Sequence, residues 1–464
     1  VGLVYPVNER FHLKLNYIKG HTLSFGFSLH SNFGKKMPLI PKNDKPKQVI
    51  DADIYKVVTA QNDLMLYKAS LLHLNPRGMP LQSADVDGDK YKVIISQSTH
   101  MSWPRVTGRA LRVLDDIAPA KIKTFELANM NGGLGMYKLT IDREAFSKNK
   151  DDNLHKLAIK DASLESFEYR EEDYEFRPKV KLPDLFWKIT PTIKQQIGGP
   201  DGFFFGNLRL SFKGELALFR NTSVKMEFSH GIVDNFADLK LASDSVLPHV
   251  RTDVVQYLKQ GRGLIVNYLQ MDRFFKPSKD WYAKTTAGLV ENMFGAVGGE
   301  ILYRPFHKNY AIGAELWQVQ QRSYDQQFDF SPYKTLTGHI NFYYKEPRSQ
   351  VLLSLKGGKY LAQDSGFTFD VSRRFKSGLK MGIFFSLTDI SEYEFGEGSF
   401  DKGFYFFVPI ESFFNKYQKG ATGLGLKPLT RDGAATLRHT HGLYGVTEQG
   451  QALNITRDWD DLYD

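Results

Sequence analysis

Carboxylates at alternate positions in "DVDGD", Asp85, Asp87 and Asp89, resemble the start of a calcium-binding loop. Such a loop needs glycine at its sixth place and a bidentate glutamate at its twelfth. Lys90 and Ser96 stand there instead, so the stretch reads as a tight turn before a strand. His439 and His441 of "RHTHG" are spaced as two metal ligands can be, but no carboxylate or thiol pattern accompanies them, and they read as a solvated pair in a polar tail. The glycines of "GGLG", Gly132 to Gly135, lack the phosphate-cradling GxGxxG spacing and lie between strands, so they read as turn residues. No GxSxG elbow is present and no Ser-His-Asp grouping stands out. The expectation is a protein that is not an enzyme, with no catalytic residue, cofactor or metal assigned.

What remains is a set of polar side chains at every second place in long alternating segments. Arg209, Lys213, Lys225, Lys356 and Lys380 are its cations, Glu227 and Asp370 its carboxylates, and His339 and Asn341 its neutral members. If they line a pore, they are the candidate glycan-binding residues, and the excess of cations favours an anionic solute. If the pore is filled, the same charges pair with one another.

These side chains need strands to position them. In "HTLSFGFSLHS", Leu23, Phe25, Phe27 and Leu29 alternate with small or polar residues, which puts four large apolar groups on one side of a sheet. The rhythm returns at Leu208, Leu210 and Phe212; at Val224, Met226 and Phe228; at Ile340, Phe342 and Tyr344; at Phe367, Phe369 and Val371; and from Leu379 to Leu387. About a dozen strands fall between Phe186 and Arg431, joined alternately by tight links such as Arg220-Asn221-Thr222 and longer polar ones, as in an outer-membrane barrel. Each strand carries four or five large apolar groups on one face. In water, such a sheet would expose far more than the few hundred Å² of apolar patch a monomer tolerates, so lipid is the better solvent for it. Trp187, Trp281, Tyr282, Tyr303, Phe306, Tyr333, Phe404 and Tyr405 near strand ends read either as interfacial girdles or as core residues.

Composition permits this. The 464 residues include 35 Phe and 23 Tyr, an aromatic share of 14%, more than an ordinary core needs. Mean hydropathy is −0.37, and a barrel strand of about 9 to 11 residues leaves that average low. No apolar run is long enough for a helical span. Cysteine is absent, which excludes disulfides and thiol chemistry. Net charge is +9, and residues 186–431 hold about 31 Lys and Arg against about 23 Asp and Glu, so nearly all the excess lies in the alternating region.

The chain divides into a β-hairpin at 1–34, a linker rich in lysine and proline at 35–49, an α/β domain at 50–180, the alternating region at 181–431 and a polar tail at 432–464. Within the α/β domain, "KYKVIIS" reads as a buried strand. "SWPRVTGRALRVLDDIAP" reads as a helix with Ser102 at its N-cap, Pro104 in its first turn and Val106, Ala110, Leu114 and Ile117 on one face. The fold class expected is mainly β: a transmembrane barrel of about 12–16 strands with a small periplasmic α/β domain.

Three stretches together resemble the YjbH-like family of outer-membrane exopolysaccharide and capsule biosynthesis proteins. They are "VTGRALRVLDDIAP" with the "KIKTFELANMNGGLGMYKLTID" that follows, "QIGGPDGFFFGNLRLSF", and "PLTRDGAATL". The resemblance implies secreted lipoproteins with β-barrels flanking a periplasmic α/β domain, encoded with polysaccharide synthesis and export genes. It makes residues 1–34 the end of an upstream barrel, and the missing lipidated cysteine implies a chain lacking its N-terminal part. The tail is then either periplasmic or folded back into the pore. The expected location is the Gram-negative outer membrane. The expected partners are outer-membrane lipid, polysaccharide and periplasmic export or assembly proteins, with no nucleic acid. The expected function is a passive, porin-like conduit for an acidic glycan. Its rivals are a barrel enzyme acting on polysaccharide or lipid, and a scaffold for an export complex. A continuous polar lumen favours the conduit, a carboxylate pair about 5 to 9 Å apart in a groove favours glycoside cleavage, and a plugged lumen favours the scaffold.

Overall fold

Alternation of this kind forms three antiparallel or mixed sheets in a computed structural model. It describes residues 1–9, 11–30, 40–97, 99–150, 162–198, 201–240, 242–260, 262–396, 398–428 and 430–464. The first sheet is β1 (Gly2–Pro6), β2 (Phe11–Ile18) and β3 (Thr22–Leu29). Lys19 and Gly20 both take positive φ, the turn that suits the twist of a two-residue hairpin. β1 is too short to show an alternation of its own. Its register sets Leu3 opposite Leu15 and Tyr5 opposite Leu13, so Leu3, Tyr5, Leu13, Leu15, Tyr17, Leu23, Phe25 and Phe27 share one face, most of them exposed.

The α/β unit follows: α1 (Ala52–Thr59), α2 (Asp63–Leu74), β4 (Leu81–Asp87), β5 (Lys90–Ser96), α3 (Trp103–Ile117), β6 (Thr124–Asn131), β7 (Leu134–Asp142), α4 (Arg143–Asn149) and β8 (Ser163–Ser166). Its sheet runs β4-β5-β6-β7-β8, with β5 and β6 parallel. Parallel neighbours need a crossover, and α3 supplies it. The helix forms where its spacing requires: Val106, Ala110, Leu114 and Ile117 recur on one face and all lie fully inside the core. Ser102 is its N-cap residue, but its side chain makes no capping bond. The "DVDGD" stretch is the β4–β5 turn, with Gly88 at positive φ and Asp85 and Asp87 paired to Lys92 at 3.4 and 3.0 Å.

The large sheet is an antiparallel meander of thirteen strands in chain order. Its first half is β9 (Asp184–Ile197), β10 (Phe204–Phe219), β11 (Thr222–Asp234), the short helix α5 (Val254–Gln260), β12 (Leu264–Ser278), β13 (Trp281–Leu289) and β14 (Phe294–Tyr303). Then come β15 (Tyr310–Arg322), β16 (Phe330–Lys345), β17 (Val351–Lys359), β18 (Ser365–Arg374), β19 (Lys380–Thr388), α6 (Glu392–Phe395), β20 (Asp401–Pro409) and β21 (Ala421–Leu426). β9 and β21 are its edges. The tail forms α7 (Leu443–Glu448) and α8 (Ala452–Arg457).

Burial in this sheet is inverted relative to a protein core. Ile340 (68% exposed), Ile383, Phe367, Leu387 and Leu210 face outward, whereas Asp272, Lys284, Arg209, Ser211 and Thr337 on the other face are almost wholly buried. Of the strand-end aromatics, Trp187 and Trp281 are exposed, but Tyr282 and Phe306 are buried in the cluster shared with the α/β unit and the tail. These two are core residues, because the α/β unit packs on that end of the sheet.

The docking is specific. Gly133, at positive φ, lies so near the β10–β11 link that a Cβ would come within 2.5 Å of the Arg220 carbonyl oxygen. Lys276 Nζ donates to the carbonyls of Gly135 (2.8 Å) and Phe167 (2.6 Å), and Arg220 donates to the Tyr169 hydroxyl (3.0 Å). The glycine turn thus also serves as a contact surface.

Candidate functional site

Alternation places one set of side chains from every strand on the polar face, and a chain segment lies along it. Asp432 accepts from the backbone N–H of Arg251 (2.7 Å) and Thr252 (3.0 Å) in the β11–β12 connection, and Leu361 N–H donates to the Ala435 carbonyl (2.9 Å). At the far end Arg304 donates to the Tyr444 carbonyl (3.0 Å), and Gln451 to the Lys308 carbonyl (3.1 Å). The tail therefore runs from one end of the strands to the other.

Its contacts also fix the curvature. His439 meets Glu315 of β15, and two residues later His441 accepts from Lys225 of β11 at 3.2 Å. Lys419, just before β21, also lies within electrostatic range of His441, so strands ten places apart in the sheet, about 48 Å if it were flat, come round to one tail residue. The polar face is concave, and the tail occupies the concavity.

Mid-strand, the charges are matched. Asp272 lies 3.6 Å from Lys225 and 3.5 Å from Lys284, and it accepts from Thr286 Oγ1 at 2.6 Å. Lys284 also reaches Glu300 (3.8 Å) and donates to the Thr440 carbonyl (2.8 Å). Glu315 Oε1 is 2.9 Å from both His339 and Lys356. His439 sits between Glu300 (3.5 Å) and Glu315 (3.4 Å), with its ring 4.9 Å from that of Trp317. The expectation of a solvated histidine pair fails for His439, because carboxylates distant in sequence converge on it. Among the described residues, no group of three His, Cys, Asp or Glu has a metal-holding arrangement.

The nine candidate pore residues lie on this face. Lys225, His339 and Lys356 belong to the network just described. Lys213 pairs with Glu227 at 3.5 Å, and Arg209 donates to Ser229 Oγ, the Ser229 carbonyl and the Gly263 carbonyl, each at 2.9 Å. Asp370 accepts from the Tyr405 hydroxyl (2.9 and 3.0 Å), and Lys380 Nζ lies 5.8 Å from that ring's centre. Asn341 is buried opposite Lys356, with its side-chain oxygen unpartnered among the described residues. The structure thus gathers His339, Lys356 and Lys225 around the tail and leaves Lys213 with Glu227, and Asp370 with Lys380, in separate groups. Asp272, Lys284, Glu300 and Glu315 escaped notice in the sequence. Each is a charge within a strand on the polar parity, which is the signal that was available.

A family model described as exopolysaccharide biosynthesis protein YbjH matches residues 1–449. A relative from Escherichia coli strain K12, named as an uncharacterized lipoprotein YjbH, is 29% identical over 462 residues, covering 96% of this chain. The chain spans 64% of that relative's length. With the family model matching residues 1–449 of the 464, this chain belongs to the YjbH family of exopolysaccharide biosynthesis proteins.

Proposed function

We propose that this chain is an outer-membrane protein of exopolysaccharide assembly, a plugged β-barrel that holds its α/β domain at the periplasmic mouth as a docking scaffold. The observation that carries the reading is the tail, which fills the concave polar face and then packs on α3. Membrane placement rests on the inverted burial, since lipid solvates an outward face of Ile, Leu, Phe and Val that water does not. The relative's description as a lipoprotein agrees with an envelope location. The proposed role is not catalytic. Glu300 and Glu315 stand directly opposite each other on β14 and β15, the placing a glycosidase pair would need, but His439 of the tail lies between them.

The test is made in a planar bilayer and in cells. The full chain should insert from detergent yet pass no steady current, removal of residues 432–464 should open conductance, and a strain lacking the gene should lose surface polysaccharide. A chain that stays folded without detergent, or a deletion strain with normal polymer, would overturn the proposal.

One observation favours the conduit as a second reading. Arg438 and His441 keep solvent access although the tail lies within the concavity, so water has space beside it. A steady anion current through the full chain would favour that reading over the scaffold.

A further inference from the structure

A cavity of about 360 Å³ lies where five parts of the chain meet at the α/β end of the sheet. Its walls are Lys42 of the segment before α1, the first turn of α3, the β18–β19 link, the connection after β20 and the last turns of the tail. The volume falls within the range of small-molecule sites.

Five polar atoms on these walls are buried with no hydrogen-bond partner among the described residues: Ser102 Oγ, Arg105 Nε, Arg374 Nε, Ser377 Oγ and Glu411 Oε2. Leaving such a group unsatisfied is costly, and native proteins leave few. Five around one cavity point to a missing partner. The set mixes donors with acceptors, which is what a ring bearing several hydroxyls requires. Ser102 is also the N-cap of a 15-residue helix, so N–H groups of its first turn add to the donors there.

The charges select among such ligands. Three acids of the wall are already matched, with Asp458 2.6 Å from Arg457 and Asp461 and Asp464 each 3.0 Å from Arg105, which leaves Glu411 as the wall acid without an ion pair among the described residues. The cations are not all matched. Lys42 Nζ donates only to the carbonyls of Glu411 and Phe414, and Lys376 on the exposed rim has no carboxylate within ion-pair distance among the described residues. Burial holds the Glu411 carboxyl above its ordinary range, and nearby Arg105 and Lys42 offset this only in part.

We infer that this cavity is a binding site for a uronic-acid residue of an acidic glycan, its carboxylate toward Lys376 and Lys42 and its hydroxyls toward Ser102, Ser377 and Glu411. The inference rests on the exopolysaccharide reading for its ligand class, and goes beyond it in placing the glycan at the junction rather than in the lumen.

The experiment is calorimetric titration of the full chain in detergent with a hyaluronan tetrasaccharide and, separately, with neutral maltotetraose. The acidic probe should bind at least about ten-fold more tightly, as a charge-assisted hydrogen bond implies. Lys376→Glu should weaken it by about ten-fold and Ser377→Ala by several-fold, each with unchanged circular dichroism. Ser377→Ala removes one oxygen from a link residue, so it keeps the test decisive if the charge reversal disturbs folding. Absence of binding, equal binding of both probes, or full affinity in both variants would overturn the inference. Surface polymer in a deletion strain separates the two claims. Polymer loss without binding removes the cavity and leaves the assembly role, whereas binding with normal polymer does the reverse.

Discussion

Gly108 in the middle of α3 lies directly against the backbone of Leu462, so close that a Cβ on the glycine would overlap the Leu462 carbonyl oxygen. A glycine in a helix interior costs stability, and here close approach of a second backbone explains it. Gly108→Leu should therefore push the end of the tail off α3, at a cost of about 1–3 kcal/mol typical of overpacking. Limited proteolysis should then cut residues 450–464 in the variant and spare them in the parent. Equal resistance would mean that the contact does not hold the tail.

The two faces of the large sheet should respond oppositely to charge. Met381 and Phe369 point outward, so under the proposed lipid-facing placement arginine at either should impair assembly of the sheet by about 2–4 kcal/mol near the bilayer midplane. Lys380→Ala should be mild, because this lysine has no carboxylate within ion-pair distance among the described residues and lies 5.8 Å from the centre of the Tyr405 ring. Heat-modified migration on gels reports the folded fraction of each variant. Similar losses at all three positions would remove the case for a lipid-facing side.

His100 gives the α/β domain a pH dependence. Burial first, then the charges of Arg109 and Arg105, lower its pKa from 6.5 to about 4. The unfolded chain therefore binds the proton more readily than the folded one between those values. Its contribution is fully present above pH 6.5 and is lost as pH falls toward 4. Between pH 7.5 and 5 the loss should be about 2 kcal/mol. His100→Asn should flatten that slope in the urea midpoint of α3, followed by hydrogen exchange. An unchanged slope would show that the imidazole is not the group responsible.

The strands and α3 were legible because their periods are local. Leu208 to Phe212 and Val106 to Ile117 carry their own faces, and the Lys19-Gly20 turn announces its hairpin. The filling of the concave face was not legible. It depends on His439 meeting Glu300 and Glu315, residues more than a hundred positions away, and "RHTHG" contains no trace of that meeting. Tyr282 and Phe306 stayed open between two readings for a related reason. A strand-end aromatic looks the same whether lipid or the α/β unit covers it, and only the docking at Gly133 and Lys276 decides.

Asp272 should be the most sensitive position on the polar face. It is fully buried, and both Lys225 and Lys284 depend on it; among the described residues the other carboxylates near them are Glu215, 4.0 Å from Lys225, and Glu300, 3.8 Å from Lys284. Asp272→Ala would leave two lysine ammonium groups facing each other in a poorly hydrated space. Removing one partner of such a network costs about 3–5 kcal/mol, because the remaining charge stays buried without compensation. The double variant Asp272→Ala, Lys284→Met removes a charge of each sign and should recover much of the loss, although Thr440 then forfeits the bond from Lys284 to its carbonyl. Urea midpoints of parent, single and double variants in detergent give the coupling directly. If the single variant is as stable as the parent, the matched charges do not hold the wall to the tail. If the double variant is no better than the single, the cost lies in lost packing rather than in an unpaired lysine.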